Sequence, residues 1–273
     1  MKQKSTSIKT LVLTGFGINS DVELAESFTR AGSLSLRLHI NDLVENAKLL
    51  DEVQILAIPG GFSFGDHLGS GRVLANRLKT RLGEKIHAFI QKDRLVLGIC
   101  NGFQVIVKMG LLPNLSGEDK QEMTLAGNDS GRFEDRWVRL KSNPHSPGPW
   151  LRGIETLSLP VRHGEGKLIA PSVEFFEKVR SQHGDALFYV DEKDSPTQSY
   201  PQNPNGSVGA VAGLVSPDGK VFGLMPHPEA FMTRTLQPAW RTEELALSGV
   251  AREKLKADDG GGMAIFYNAV AHF

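Results

Sequence analysis

The stretch Leu95-Val-Leu-Gly-Ile-Cys100-Asn-Gly-Phe-Gln-Val-Ile-Val-Lys-Met109 decides the fold. Leu95–Ile99 is a short apolar run of the kind that fills a parallel sheet buried on both faces. Cys100 follows at once. From Asn101 the apolar residues Phe103, Val105, Ile106, Val107 and Met109 fit a helix. Strand, sharp turn and helix with a nucleophile-type residue at the tip is the plan of a nucleophile elbow. Gly98 and Gly102 stand two residues to either side, where a tight turn needs close backbone approach. Cys100 is the one cysteine of the chain, so it has no disulfide partner within it. A lone cysteine between strand and helix is also a common small core residue. This stretch alone therefore fits both a nucleophile and simple packing.

The segments upstream set a βαβαβ rhythm. Thr10–Thr14 reads as a first strand and Ser35–Ile40 as a second, with a helix between them that starts near Asn19, Ser20 or Asp21 and stops at Gly32. A short helix over Asn41–Leu50 and a third strand over Val53–Ile58 follow. A long helix from Arg72 to Lys92 leads into the elbow. Such alternation predicts a doubly wound, mostly parallel α/β sheet flanked by helices. Gly15-x-Gly17 is an incomplete dinucleotide fingerprint, because Ser20 stands where the third glycine belongs.

After the third strand comes Pro59-Gly-Gly-Phe-Ser-Phe-Gly-Asp-His-Leu-Gly-Ser-Gly-Arg72, with five glycines in fourteen residues. Ligands of open α/β sheets bind beyond the carboxyl ends of strands, where this loop lies. Gly60 and Gly61 leave the backbone free to aim N–H groups at a bound oxygen, as an oxyanion hole requires. A plain glycine-rich turn fits as well. No Gly-Lys-Ser/Thr closes the loop, which argues against a P-loop.

Residues 113–150 are polar and rich in turn formers. Trp137–Leu140 and Thr156–Val161 alternate as antiparallel strands do, and His163-Gly-Glu-Gly166 follows the second of them. Further strands are predicted over Ala186–Val190, Val208–Val215 and Val221–Met225, the last two joined at Pro217-Asp-Gly219. A smaller antiparallel sheet beside the main one is therefore expected. Pro226-His-Pro-Glu229 closes the last strand. A histidine there can take the proton of a thiol, and a carboxylate two residues on can orient it if the stretch stays extended. The polar stretch 232–262 has no assigned role, contact with a partner being one reading, and an amphipathic helix over Met263–His272 ends the chain. We read 9–273 as one domain behind a short extension, 1–8.

Composition narrows the function classes. Thirty-one Lys and Arg balance thirty-one Asp and Glu, which gives no electrostatic footprint for nucleic acid or an anionic membrane. No run reaches the ~20 apolar residues of a membrane span, and the N-terminus lacks the apolar core of a signal peptide. One cysteine and no signal predict a cytoplasmic location. The Asn-x-Ser sequons at Asn114, Asn128 and Asn205 are then chance matches.

Together, Pro59-Gly-Gly-Phe-Ser63, Gly98-Ile-Cys-Asn-Gly-Phe-Gln104 and Pro226-His-Pro-Glu229 resemble, in order and spacing, class I (triad-type) glutamine amidotransferases. With Phe64-Gly-Asp66, His163-Gly-Glu-Gly166 and Asn203-Pro-Asn-Gly-Ser207 added, the chain is most similar to the glutaminases of phosphoribosylformylglycinamidine synthase, over about residues 9–232. The resemblance implies a flavodoxin-like fold and a triad of Cys100, His227 and Glu229. It implies an oxyanion hole from the backbone of Gly60, Gly61 and Asn101, and glutamine contacts at Gln104 and Ser63. His163 and Glu165 match a family segment near the site and the subunit interface. Where family members often carry a cysteine near Ser70, this chain has none, which leaves the triad untouched.

The implied reaction is glutamine hydrolysis, with the ammonia passed to a large synthetase subunit, and in some systems with a small third subunit. The acceptor would be formylglycinamide ribonucleotide, in purine biosynthesis. No metal or cofactor is expected in this chain; ATP and Mg belong to the synthetase. Two alternatives are a class I glutaminase serving GMP or imidazole glycerol phosphate synthesis, and a non-catalytic module on the same fold. The intact triad residues argue against the latter.

Overall fold

The computed structural model describes residues 7–241 and 247–273. The chain order is β1 (Lys9–Thr14), α1 (Asp21–Arg30), β2 (Leu34–His39), α2 (Ile40–Glu45), β3 (Ile55–Ile58), α3 (Arg72–Gln91), β4 (Leu95–Ile99) and α4 (Asn101–Met109). It continues with β5 (Thr124–Ala126), β6 (Glu134–Ser142), β7 (Thr156–His163), β8 (Lys167–Ile169), α5 (Val173–Ser181), β9 (Asp185–Tyr189), β10 (Val211–Val215), β11 (Val221–Leu224) and α6 (Met263–Val270).

Nine strands form one sheet in the order β2-β1-β3-β4-β11-β10-β9-β6-β7. Its first part, β2-β1-β3-β4-β11, is parallel. From β11 onward the pairings are antiparallel, so the strands read around Trp137 and Thr156 extend the main sheet. The smaller antiparallel sheet is β5 with β8. Strands β3, β4 and β11 are buried along their whole length, as apolar strands between two helical layers must be. Each large apolar side chain removed from water there contributes about 1.5–3 kcal/mol.

The parallel part positions the site. Ile58 lies beside Gly98, and Ile99 beside Leu224. The loops leaving β3, β4 and β11 therefore emerge at one edge, about 4.8 Å apart. They carry Gly60-Gly61, Cys100 and His227. The loop after β1 joins them through a bridge between Ile18 and Gly61. A side chain at Gly17 would collide with the carbonyl of Phe62 and one at Gly15 with the His39 ring, so these glycines serve close packing of the loop.

Several local expectations are revised. The stretch 41–50 is α2 followed by a separate 3₁₀ turn over Ala47–Glu52. Val208–Ala210 is a 3₁₀ turn ahead of β10. Parts of 232–262 pack into the fold: Leu247 and Ala251 are buried, and Asp259 pairs with Arg30 and accepts from Tyr267 Oη. Residues 242–246 of that stretch, and 1–6 of the N-terminal extension, lie outside the described residues.

Candidate active site

Cys100 sits at φ +51°, ψ −104°, a conformation that no helix or strand residue adopts. Its amide donates to Leu224 O at 2.8 Å, and its carbonyl accepts from the Gln104 amide at 3.0 Å. The elbow thus hangs between β11 and the first turn of α4. The flanking glycines are needed for space. A Cβ on Gly98 would lie 2.6 Å from Gly102 O, and one on Gly102 would run into the Ile58 carbonyl. The α4 terminus rides directly on the end of β3.

His227 follows β11 and is 3% exposed; its amide donates to Pro160 O at 2.8 Å. Its Nδ1 lies 2.6 Å from Glu229 Oε1, and Glu229 is 1% exposed. The expected extended stretch is absent: Pro228–Phe231 is a 3₁₀ turn, and that turn brings the carboxylate back to the ring. Nδ1 thereby carries a proton and Nε2 is left for the reaction. Burial by itself would lower the His227 pKa. The Glu229 carboxylate and the charge on Cys100 outweigh it and push the pKa up to about 10. Cys100 and His227 meet across Gly60, where an added Cβ would stand 2.7 Å from His227 Cε1 and 3.5 Å from Cys100 Cβ. Cys100 Sγ also lies 3.6 Å from the carbonyl of Arg162, at the end of β7.

The residues expected to form an oxyanion hole stand together beside the elbow. Gly61 takes φ +146°, and a side chain there would strike Gly17 O at 2.6 Å. Among the described residues, neither the Gly61 amide nor the Asn101 amide donates to a protein acceptor. Ser63 is buried with no partner for its hydroxyl among the described residues, while its amide donates to Asn101 Oδ1 at 3.3 Å.

Gln104 is buried and already engaged at both ends of its amide. Oε1 accepts from Asn101 Nδ2 at 2.9 Å, and Nε2 donates to Glu165 O at 2.5 Å. It ties α4 to the loop after β7. Glu165 returns the tie, its Oε2 accepting from the Ser70 amide at 3.2 Å. Asp66 closes this set: it accepts from Ser70 Oγ, the Gly71 amide and Asn101 Nδ2 at 3.0–3.3 Å. Burial raises the Asp66 pKa.

His163, the last residue of β7, is 2% exposed. Burial and then the charge of His227 hold its pKa down at about 3, so the ring is neutral. Its Nδ1 lies 3.1 Å from Asn128 Oδ1. Sequence reasoning missed Asn128, which appeared only as a chance sequon, and Asp66, which lay inside a quoted motif. Asn205 was equally unassigned; it donates to Tyr189 Oη at 3.1 Å and accepts from Ser207 Oγ at 2.6 Å beneath the same loop. Asn128 had only polarity at a turn as a signal, whereas Asp66 and Asn205 lay inside quoted motifs.

The family model described as a CobB/CobQ-like glutamine amidotransferase domain matches residues 7–273. The chain belongs to this glutamine amidotransferase family. Among amidotransferase relatives, a phosphoribosylformylglycinamidine synthase subunit PurQ from Dehalococcoides mccartyi is 43% identical, with 97% of each chain covered. The subunit of the same name from Methanococcus maripaludis is 36% identical over 97% of this chain and 98% of its own. A solved PurLQS structure from Thermotoga maritima contains a chain of the same fold, with TM-score 0.68, 24% identity, and 98% and 99% of the two chains covered. No described helix of this amidotransferase is long and apolar enough to cross a membrane.

Proposed function

We propose that this chain is the glutaminase of a phosphoribosylformylglycinamidine synthase. It hydrolyses glutamine to glutamate and ammonia, and a large synthetase subunit uses the ammonia to convert formylglycinamide ribonucleotide to the amidine. The single observation that supports the chemistry is the approach of buried Cys100 and His227 to Gly60 at the shared edge of β4 and β11, with Nδ1 of His227 held at 2.6 Å by Glu229. The names of relatives covered over nearly their whole length support the acceptor. A small third subunit fits the three-part name of the Thermotoga maritima structure. ATP and Mg belong with the synthetase, and the cytoplasm is the compartment that a single unpaired cysteine favours.

In this reading the Cys100 thiolate attacks the side-chain amide carbon of glutamine. The carbonyl electrons move onto oxygen, which the amides of Gly61 and Asn101 face. His227 Nε2 then protonates the leaving nitrogen, the C–N bond breaks, and ammonia departs from a γ-glutamyl thioester. Water attacks the thioester, His227 takes its proton, and glutamate leaves with the thiolate restored. Glu229 keeps the ring oriented and offsets its charge. Gln104 and Ser63 remain the candidate glutamine contacts, and Gln104 also fixes the Glu165 loop.

The test is the Cys100→Ala subunit in the reconstituted complex. Glutamine-dependent amidation should vanish while amidation from added ammonia persists. Wild-type use of glutamine by the variant would refute the reading.

A further inference from the structure

His163 contributes a buried ring nitrogen that nothing among the described residues uses. Its other nitrogen is fully determined. Asn128 Nδ2 donates to two carbonyls, Arg132 O at 2.9 Å and His163 O at 2.8 Å. Asn128 Oδ1 must then be the acceptor, and it takes the Gly166 amide at 3.0 Å, a group that can only donate. The same oxygen faces His163 Nδ1, so Nδ1 carries the proton. In a neutral imidazole this leaves Nε2 a bare lone pair.

That lone pair has no hydrogen-bond partner among the described residues. Glu134, the register partner of His163 across β6 and β7, turns Oε2 to Arg136, while its buried Oε1 has no partner among the described residues. Gly166 packs against the ring, where an added Cβ would lie 2.5 Å from Cε1 and Nδ1. The ring lies near enough to the reaction centre to feel the charge of His227. The preceding residue, Arg162, places its carbonyl on Cys100 Sγ, and Pro160 of the same strand holds the His227 amide. The end of β7 thus lies on the His227 side of the thiol, where the leaving nitrogen must be. Gly61 and the Asn101 amide serve the oxygen.

We propose that His163 Nε2 accepts an N–H of the glutamine side-chain amide and thereby makes the site choose glutamine over glutamate. Glutamine offers two N–H donors at that position. Glutamate offers carboxylate oxygens, which would face the lone pair with no proton between them. A site built to pair with an N–H rejects the analogue that lacks it, and here that rejection also expels the product. Acceptance of a hydrogen bond moves no proton, so His227 remains the acid. Because the ring is pinned through Asn128, it does not invert to present a donor. This assignment rests on the glutaminase reading above.

The test compares the KM for glutamine with the inhibition constant for glutamate in the complex with the synthetase. His163→Phe keeps a flat ring but removes the lone pair. The ratio of glutamate inhibition constant to glutamine KM should fall about tenfold, and His163→Gln, whose amide oxygen can accept, should restore part of it. Equal loss of affinity for both ligands, with the ratio unchanged, would show a purely structural role and overturn the assignment. Absence of any glutamine hydrolysis by the wild-type complex would instead overturn the glutaminase reading. Should the variants fail to co-elute with the synthetase, ¹⁵N NMR of the histidine rings in the Cys100→Ala complex decides. A bare Nε2 at His163 whose resonance moves on adding glutamine supports the proposal, and a protonated or unmoved one contradicts it.

Discussion

Two buried histidines lie in this part of the fold, and one is charged while the other is neutral. His227 is 3% exposed and His163 is 2% exposed, so burial does not separate them. Their partners do. Nδ1 of His227 meets the Glu229 carboxylate and that ring holds its proton up to about pH 10. Nδ1 of His163 meets the neutral amide of Asn128, and that ring stays unprotonated down to about pH 3. The same side chain becomes a proton carrier on one flank and a fixed acceptor on the other. Glu229 and the charge on Cys100 overcome burial at His227, whereas His163, with a neutral amide at Nδ1, follows burial and the charge of His227.

The largest break in this contrast is Glu229→Gln. It gives His227 the neutral partner that His163 has. The loss of charge support and of the fixed tautomer should lower glutamine hydrolysis by about 10³–10⁴-fold in kcat, measured by steady-state kinetics of the complex. A loss under tenfold would mean that Glu229 is a packing residue.

The reverse exchange, Asn128→Asp, gives His163 a carboxylate. The ring should then take up a proton at neutral pH, visible in ¹⁵N NMR. Two carbonyls, Arg132 O and His163 O, lose their donor at the same time. Each unsatisfied buried group costs about 1–3 kcal/mol, so stability in urea should fall by a few kcal/mol. A ring that stays neutral would show that burial outweighs the partner.

The contrast also sets the pH dependence of stability. The folded-state pKa of His227 is raised, so its contribution is complete below pH 6.5 and is lost as pH rises from 6.5 towards about 10. That of His163 is lowered, so the unfolded chain binds more protons between about pH 3 and 6.5, and stability falls as the solution is acidified through that range. Denaturant unfolding of wild type and Glu229→Gln between pH 7 and 10 should converge at the alkaline end. Parallel curves would contradict the sign assigned to His227.

The smallest effect is expected at Glu165→Gln. The amide can still accept from the Ser70 amide, while Gln104 holds the backbone carbonyl of 165, which the change leaves in place. Activity should change by a few-fold at most, within the ~1 kcal/mol of one hydrogen bond. A hundredfold loss would show that the carboxylate charge matters, and would move Glu165 into the chemistry.

How much could be read beforehand differs between the two flanks. The elbow was legible to the residue: Leu95–Ile99 and the helix start at Asn101 follow from an apolar run, two glycines and a helical period. Those are local signals. The Pro226-His-Pro-Glu229 side was legible as chemistry, although Glu229 reaches His227 through a 3₁₀ turn instead of an extended stretch. The His163 flank was legible only as a motif. Asn128 lies 35 residues from the histidine it fixes, and no periodicity ties two polar residues across that distance. Strands β5 and β8 have three residues each, too few for an alternating pattern to register. The buried pieces of 232–262 are scattered along the stretch, and tertiary contacts such as the Leu157–Leu247 bridge and those of Asp259 with Arg30 and Tyr267 show that they belong to the fold.

The central claim is that the Cys100 thiol carries the glutamyl group. Acid quench of the working complex with isotope-labelled glutamine, followed by mass spectrometry of the peptides, tests it most directly. The account predicts a γ-glutamyl thioester on the peptide containing Cys100, absent when Cys100→Ala replaces the wild-type subunit. Turnover of glutamine with no label on that peptide, or with label on another residue, would contradict it.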